Sequence, residues 1–176
     1  MGMFTELYLG VRLKKDTPSN VIDILKYMIN GVDEDNGEEV PDTAPYHPLF
    51  ETRMWEHMLQ CRSYYFHARL VNILQYDDIS ESYHLTVRSD LKNYNDEILY
   101  FIDWLTPYIV KGYNCWEHLG HIRYEEDTLP ELIMGYRNVK EDVEFLNIVS
   151  VDKYIELPDF EKPYRLERDF DVDCDI

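Results

Sequence analysis

The stretches "LGVRLKKDTPSNVIDILKYM" (residues 9–28) and "LTVRSDLKNYNDEILYFIDWL" (residues 85–105) follow one pattern. Each begins with Leu-x-Val-Arg, continues through a polar turn and ends in apolar residues at helical spacing. Alternating apolar and polar residues predict a half-buried strand, and the helical spacing predicts an amphipathic helix. The repetition therefore predicts two copies of a strand–helix unit within one chain.

Residues at the turns predict where each helix begins and ends. Thr17 is suited to cap the first helix, and Pro18 suits its first turn because a missing N–H costs nothing there. Gly31 is suited to end that helix. Asn95 is expected to cap the second helix, whose first acidic residues favour the positive end of the helix dipole.

Each unit needs a second strand to complete a crossover. Residues 63–74 and 114–125 are rich in aromatic and β-branched residues and are the candidates. The element order becomes β-α-β-β-α-β, the split βαβ arrangement of ferredoxin-like α+β folds. Right-handed crossovers then place the two Leu-x-Val-Arg strands side by side, with both helices on one face of the sheet.

The remaining segments are additions to this β-α-β-β-α-β arrangement. Residues 1–140 are predicted to form the α+β domain, in which residues 31–48 form an acidic loop with six acids and no Lys or Arg. The sequence "LPELIMGYRNV" predicts an extra C-terminal strand. Residues 141–176 form an acidic extension with enough hydrophobic residues for its first part to dock on the domain, whereas we expect its last ten residues to be loose.

Charge restricts the possible partners. The chain has 35 Asp and Glu against 17 Lys and Arg, a formal net charge of −18. Such a field repels nucleic acids and anionic membranes and favours basic proteins, although it also simply promotes solubility. No apolar run could span a bilayer and no signal peptide is apparent. An odd number of widely spaced cysteines indicates a reducing compartment, so we expect a cytoplasmic protein.

Two acidic segments are candidate contacts for a basic partner. In an extended tail, alternate aspartates lie on one side about 6.6–7 Å apart, which approximates the spacing of phosphates along a nucleic-acid strand. Solvated acidic surface without a partner is the alternative. The candidate residues are Asp33, Glu34, Asp35, Glu38 and Glu39 in the loop and Asp169, Asp171, Asp173 and Asp175 in the tail.

A cationic group is predicted on the sheet face opposite the helices. Its residues are Tyr8, Arg12, His84 and Arg88. Two neighbouring arginines could grip an anionic ligand or the carboxylates of a partner. The alternative is internal pairing of these arginines with Glu6, with Glu117 or with the acidic tail.

Other groups of residues in the sequence do not predict a metal site or a catalytic site. Cys115, His118 and His121 resemble zinc ligands, but strict alternation along a strand would turn His118 away from the other two. His57 and Cys61 are only a pair, and a buried, inert Cys61 is commoner than a reactive one. No nucleophile elbow or phosphate-binding glycine loop is present. We therefore expect no metal, no cofactor and no enzymatic activity.

Two stretches carry a family resemblance: "RSDLKNYNDEILYFIDWLTPYI" (residues 88–109) and "HLGHIRYEEDTLPELI" (residues 118–133). With "LKNY" before a helix containing "FIDW" and a strand ending in "RYEED", the chain resembles small uncharacterised proteins encoded by bacteriophages and prophages. The resemblance covers about residues 1–136. It implies no reaction and no catalytic residue.

The sequence as a whole favours a non-enzymatic acidic binding protein. A phage context implies that it inhibits a host nucleic-acid-binding protein or a defence nuclease of the CRISPR or restriction type, whose basic groove complements negative charge. One alternative is a small-molecule-binding protein or enzyme that uses the open sheet face. Another is a phage structural or assembly protein.

Overall fold

A computed structural model describes residues 4–31, 40–43, 45–61, 69–138, 140 and 143–151. The strands are β1 (Thr5–Arg12), β2 (Val71–Asp77), β3 (Ser82–Leu91), β4 (Glu117–Tyr124), β5 (Glu131–Asn138) and β6 (Val143–Ser150). The helices are α1 (Ser19–Asn30) and α2 (Glu97–Leu105), and 3₁₀ turns lie at Pro48–Glu51, Met58–Gln60 and Thr106–Tyr108. The predicted α+β class is confirmed.

The strands form one six-stranded sheet in the order β2-β3-β1-β4-β5-β6, and each of these neighbouring pairs is antiparallel. β1 and β3, the two Leu-x-Val-Arg strands, are adjacent as expected, with Leu9 opposite Val87. The complete strand order nevertheless differs from that of a four-stranded split βαβ sheet. The sheet continues beyond β4 because β5 and β6 extend it as an antiparallel hairpin.

The hydrophobic core lies on one face of the sheet. Leu7, Leu9 and Val11 of β1 are buried there, as is Leu13 directly after the strand, together with the apolar faces of α1 and α2. Alternation along the strand therefore leaves Tyr8, Gly10 and Arg12 on the opposite face, which we call the open face. The predicted placement of both helices on one side of the sheet is confirmed.

Helix termini partly follow the sequence prediction. Gly31 follows α1 with φ of 76°, a conformation that glycine adopts without strain, and its N–H donates to the carbonyl of Tyr27. Thr17 does not cap α1 but donates its hydroxyl to the Lys14 carbonyl. Asn95 does not cap α2, because the side chain of Asn93 accepts the Ile98 N–H instead. An asparagine in the turn thus performs this role two residues earlier than predicted.

The second predicted strand begins later than expected. Only its last part, from Val71, lies in β2, whereas residues 62–68 lie outside the described residues. The position follows from the turn after it. The Asp77 carboxylate accepts the N–H groups of Ile79 and Ser80, which closes a tight connection and places β2 directly against β3.

The predicted extra strand is β5, and part of the predicted extension also belongs to the sheet. Residues 143–150, within the range 141–176, form β6 and pair along the whole length of β5. Residues 152–176 lie outside the described residues, and so do residues 32–39 and 44 of the predicted acidic loop.

A β-bulge in β4 changes which side chains share a face. His118 lies opposite Met134 and His121 opposite Leu132, while the register shifts between His118 and Gly120. Met134 and Leu132 are two residues apart on β5, so His118 and His121 lie on the same face. The expectation that His118 points away was wrong, because the bulge inserts one residue. Gly120 is required here, since a Cβ would lie 2.0 Å from the Tyr8 carbonyl oxygen.

Candidate functional site

The four residues of the predicted cationic group lie together on the open face. Tyr8 is directly opposite Arg88, and Arg12 is directly opposite His84, in the antiparallel pairing of β1 with β3. The structure therefore brings these side chains into two adjacent rows. The two arginines in this group nevertheless have different surroundings.

Arg88 is paired within the protein. Its Nε and Nη2 donate to Oε1 of Glu6 at 2.9 and 2.7 Å. The Glu6 side chain is only 4 % exposed, so the guanidinium neutralises a buried carboxylate. For Arg88, internal pairing is therefore the alternative that the structure favours.

Tyr8 and His121 complete the surroundings of Glu6. The two rings stack with centroids 5.3 Å apart, and Nε2 of His121 lies 3.7 Å from Oε2 of Glu6. Burial lowers the pKa of His121, and this outweighs the opposing attraction of the Glu6 carboxylate. His121 is thus held as a neutral ring against Tyr8 near neutral pH.

A cleft opens beside the other arginine because the sheet separates at one end. β4 pairs with β1 only along Thr5–Leu9, so Gly10–Arg12 has no β4 partner. The segment after α2 covers part of this end, where Val110 donates its N–H to the Arg12 carbonyl at 2.9 Å. The remaining space is a cleft of about 480 Å³, the open-face cleft. Its lining includes Gly10, Arg12, His84, Thr86, Tyr113 and Glu117.

Arg12 is exposed in this cleft, and within the part of the chain that the structure describes its side chain has no partner. Among the described residues, no hydrogen bond or ion pair involves its side chain, including with the nearby Glu117. His84 makes only long contacts, 3.4 Å to Ser80 and 3.9 Å to Asp77. The cleft thus contains a free guanidinium, the hydroxyl of Thr86 and an exposed imidazole. These are donors suited to an anionic group.

Further cations surround the cleft. An adjoining cavity of about 470 Å³ is lined by Arg12, Lys14, Lys15 and Arg137, and Tyr113 lies between the two spaces. Lys15 forms an exposed ion pair with Glu81 at 3.0 Å. This density of positive charge is unusual in a chain with a net charge of −18.

The Glu144 carboxylate on β6 lies within 4 Å of three basic side chains. Its carboxylate lies 3.0 Å from Lys14, 2.9 Å from Lys111 and 3.7 Å from Arg137. Burial raises the pKa of Glu144, but hydrogen bonds from Lys111 and Lys14 outweigh that effect, so the pKa is lowered. Burial lowers the pKa of Lys111 despite its bond to Glu144. The carboxylate is therefore the counter-ion of this cluster, and Arg12 lies outside it.

The structure describes only some of the other candidate residues. The acidic residues 33–39 and 169–175 lie outside the described residues. In the described ranges, no three His, Cys, Asp or Glu side chains are grouped to hold a metal ion. The Cys61 thiol donates to the His57 carbonyl.

Comparison of the chain with protein-family models, with curated proteins and with solved structures found no match. No helix among the described residues is long and apolar enough to cross a membrane.

The sequence prediction missed the cations around Arg12. The run "VRLKKD" places three basic residues together in an acidic chain, and this was a usable signal for Lys14 and Lys15. No comparable signal identifies Arg137, which lines the adjoining cavity because the Gly112 carbonyl accepts its backbone N–H and Tyr113 pairs beside it. That contact joins β5 to a loop distant in sequence.

Proposed function

We propose that the protein is a non-catalytic binding protein whose open-face cleft holds a small anionic molecule. The observation that carries the proposal is Arg12, an exposed arginine with no partner among the described residues, at the wall of a cleft of about 480 Å³. A guanidinium binds carboxylate and phosphate groups through two parallel hydrogen bonds. The volume suits a small metabolite.

The lining also restricts the ligand beyond its charge. Glu117 lies in the same cleft and accepts hydrogen bonds, so it would repel a second anionic group and attract a hydroxyl or an amine. Thr86 and His84 can each donate or accept a hydrogen bond, whereas the guanidinium only donates and the Glu117 carboxylate only accepts. The ligand that fits has one anionic group and at least one hydroxyl, as in a sugar phosphate or a hydroxy acid.

Calorimetric titration tests this proposal with ribose 5-phosphate and malate as probes and ribose as the neutral control. We expect saturable binding of an anionic probe, and we expect Arg12→Ala to weaken it by roughly tenfold or more, the value of a charge-assisted pair. Arg69→Ala is the matched control, since Arg69 is an exposed arginine outside the cleft. Equal binding by wild type and Arg12→Ala would refute the site.

A second variant tests the cleft by filling it. A Cβ added at Gly10 has no atom within 4 Å, so Gly10→Leu places a side chain in the cleft without contacting the backbone. We expect this variant to keep its thermal stability and to lose the probe. Unchanged binding in a folded Gly10→Leu variant would show that the ligand lies elsewhere.

The charge of the chain supports a second proposal, which concerns a different surface. With a net charge of −18, the protein is suited to bind a basic protein, and a phage origin would make a host nuclease or another nucleic-acid-binding protein the target. The acidic segments 33–39 and 169–175 would form the contact.

Salt dependence tests this second proposal. Binding to a basic nucleic-acid-binding protein, measured at rising salt, should weaken steeply because the attraction is electrostatic. Replacing Asp33, Glu34 and Asp35 by Asn or Gln should reduce the on-rate at low salt, whereas Arg69→Ala should leave it nearly unchanged. An affinity that is indifferent to salt would contradict an electrostatic mimic.

The fold supports one further proposal about architecture. We infer that β1 to β4 with α1 and α2 represent a ferredoxin-like split βαβ unit, to which the β5–β6 hairpin is added at the β4 edge. The support is the adjacency of β1 and β3 and the shared helical face.

A further inference from the structure

A second cavity lies at the opposite end of the sheet from the open-face cleft. It measures about 320 Å³ and is enclosed by the end of β3, the beginning of α2 and residues 53–61. Its apolar walls come from Phe4, Met54 and Leu91. Nothing in the proposed function uses this cavity.

Glu97 presents an unpaired oxygen at this cavity. Its side chain is fully buried, and one carboxylate oxygen, Oε2, accepts the Asn95 N–H at 3.0 Å. The other oxygen, Oε1, is buried and has no hydrogen-bond partner among the described residues. A buried carboxylate oxygen without a donor is unfavourable, so folding retains a group that a bound donor would satisfy.

Asp90 and Cys61 line the same cavity as Glu97, and of these two only Asp90 is acidic near neutral pH. Asp90 is buried at the end of β3, and its backbone N–H donates to the Cys61 carbonyl at 3.1 Å. Burial raises the pKa of the Cys61 thiol, and the carboxylates of Asp90 and Glu97 raise it further. The thiol is therefore neutral near pH 7 and close to both carboxylates, so the three groups surround one end of the cavity.

Exposed cations do not neutralise Glu97. Arg53 and Lys92 line the cavity, yet no described ion pair joins either of them to the Glu97 carboxylate. Lys92 instead places its ammonium over the ring of Phe4, 5.5 Å from the centroid. A bound ligand with a hydrogen-bond donor would therefore satisfy Oε1.

We propose that this cavity is a second binding site, for a small primary amine with an apolar body. The ammonium donates to Oε1 of Glu97, and the apolar body packs against Phe4, Met54 and Leu91. A protonated amine supplies both a positive charge and a hydrogen-bond donor for Oε1 of Glu97. The volume accommodates a molecule of a few carbon atoms.

Titration with 3-methylbutan-1-amine tests the site, with 3-methylbutan-1-ol as a control of equal shape and no charge. We expect saturable binding of the amine at millimolar concentrations and binding of the alcohol that is at least roughly tenfold weaker. Glu97→Gln should reduce the affinity for the amine by a similar factor. If the amine does not bind wild type, or binds no better than the alcohol, the proposal fails.

Alkylation of wild type provides a second test, which holds even if Glu97→Gln does not fold. Cys61 lines the cavity, whereas Cys115 lies near Gly112 at the other end of the molecule. Peptide mass spectrometry after iodoacetamide treatment at mildly alkaline pH should show slower modification of Cys61 when the amine is present and unchanged modification of Cys115. An unchanged rate at Cys61 would overturn the proposal, and equal slowing at both cysteines would do so as well.

Discussion

Two arginines on the open face show how one neighbouring residue decides the role of a side chain. Arg88 and Arg12 occupy corresponding positions in the two Leu-x-Val-Arg strands, and both project away from the core. Glu6 lies within hydrogen-bonding distance of Arg88 and pairs with it at 2.7 Å. Arg12 lies at the other end of β1, where the strand has no equivalent carboxylate. One arginine is therefore paired within the protein, and the other is the one that the proposed ligand would contact.

The pairing predicts different stability effects for equivalent substitutions. Arg88→Met removes the cation from a nearly fully buried carboxylate, so the free energy of unfolding should fall by about 1–3 kcal/mol. Arg12→Met, the matched control on the same face, removes no pair and should change it by less than about 0.5 kcal/mol. Urea unfolding of both variants at neutral pH measures the difference.

A double substitution tests the same ion pair by removing both of its charges. In Glu6→Gln with Arg88→Met, the buried charge is also removed, so part of the lost stability should return. If Arg12→Met proves as destabilising as Arg88→Met, Arg12 has an internal partner and the interpretation of the cleft is wrong.

At this scale the sequence predicted the face and named Glu6 as one possible partner, but it did not indicate which arginine is paired. Strict alternation in β1 and β3 was sufficient to place Tyr8, Arg12, His84 and Arg88 together. Whether Arg88 pairs with Glu6 depends on side-chain conformation, which alternation does not specify. The reversed orientation of His118 depends on a bulge, and a single inserted residue leaves no periodic signal in a strand of eight residues.

Among the elements, β6 has the clearest energetic role beyond backbone pairing. It brings Glu144 to the end of β5, where the carboxylate bonds Lys14 after β1 and Lys111 after α2. Lys111 is fully buried and also donates to the carbonyl of Thr106 at 2.7 Å. The Glu144 carboxylate thus links the β5–β6 hairpin to the segments that follow β1 and α2.

Glu144→Gln should therefore lower stability in a pH-dependent manner. Its pKa in the folded protein is below the ordinary value of 4.5, so its contribution is complete above that pH and is lost as the pH falls through the folded pKa. We expect a loss of about 1–3 kcal/mol at pH 7, where the buried Lys111 loses its counter-ion. The difference from wild type should shrink as the pH is lowered below 4.5.

Glu81→Gln is the control for this measurement. It breaks the Lys15–Glu81 pair, whose side chains are about two-thirds exposed, so the change should stay below about 0.5 kcal/mol. Denaturant unfolding at pH 7 and in the acid range gives both values. A Glu144→Gln variant as stable as wild type at pH 7 would show that the cluster contributes nothing to docking of β6.

Elements with regular periodicity were predictable, and those defined by distant contacts were not. The strands β1, β3 and β5 and both helices follow directly from apolar spacing. β2 was misplaced because the aromatic run before it resembles a strand, whereas the turn after Asp77 sets its position. β6 was assigned to an extension because its pairing with β5 requires a partner strand that composition alone does not reveal.

Over the whole molecule, positive and negative charge are distributed unevenly. Nearly half of the acidic residues lie outside the described residues, but fewer than a third of the basic ones do. Within the described part, cations gather around Arg12 at one end of the sheet, and buried carboxylates line the cavity at the other end. The overall charge of −18 therefore does not prevent a local anion site, because fields of exposed charges are screened within about 8–10 Å.

The arginine side-chain resonances test the central claim most directly. Protein labelled with ¹⁵N-arginine would be titrated with ribose 5-phosphate, with ribose as the neutral control, and the Nε–H signals assigned by single substitution. The Arg12 signal should shift saturably with the phosphate and not with ribose, while the Arg88 signal, fixed by Glu6, should stay in place. A stationary Arg12 signal, or equal shifts of both arginines, would contradict binding in the open-face cleft.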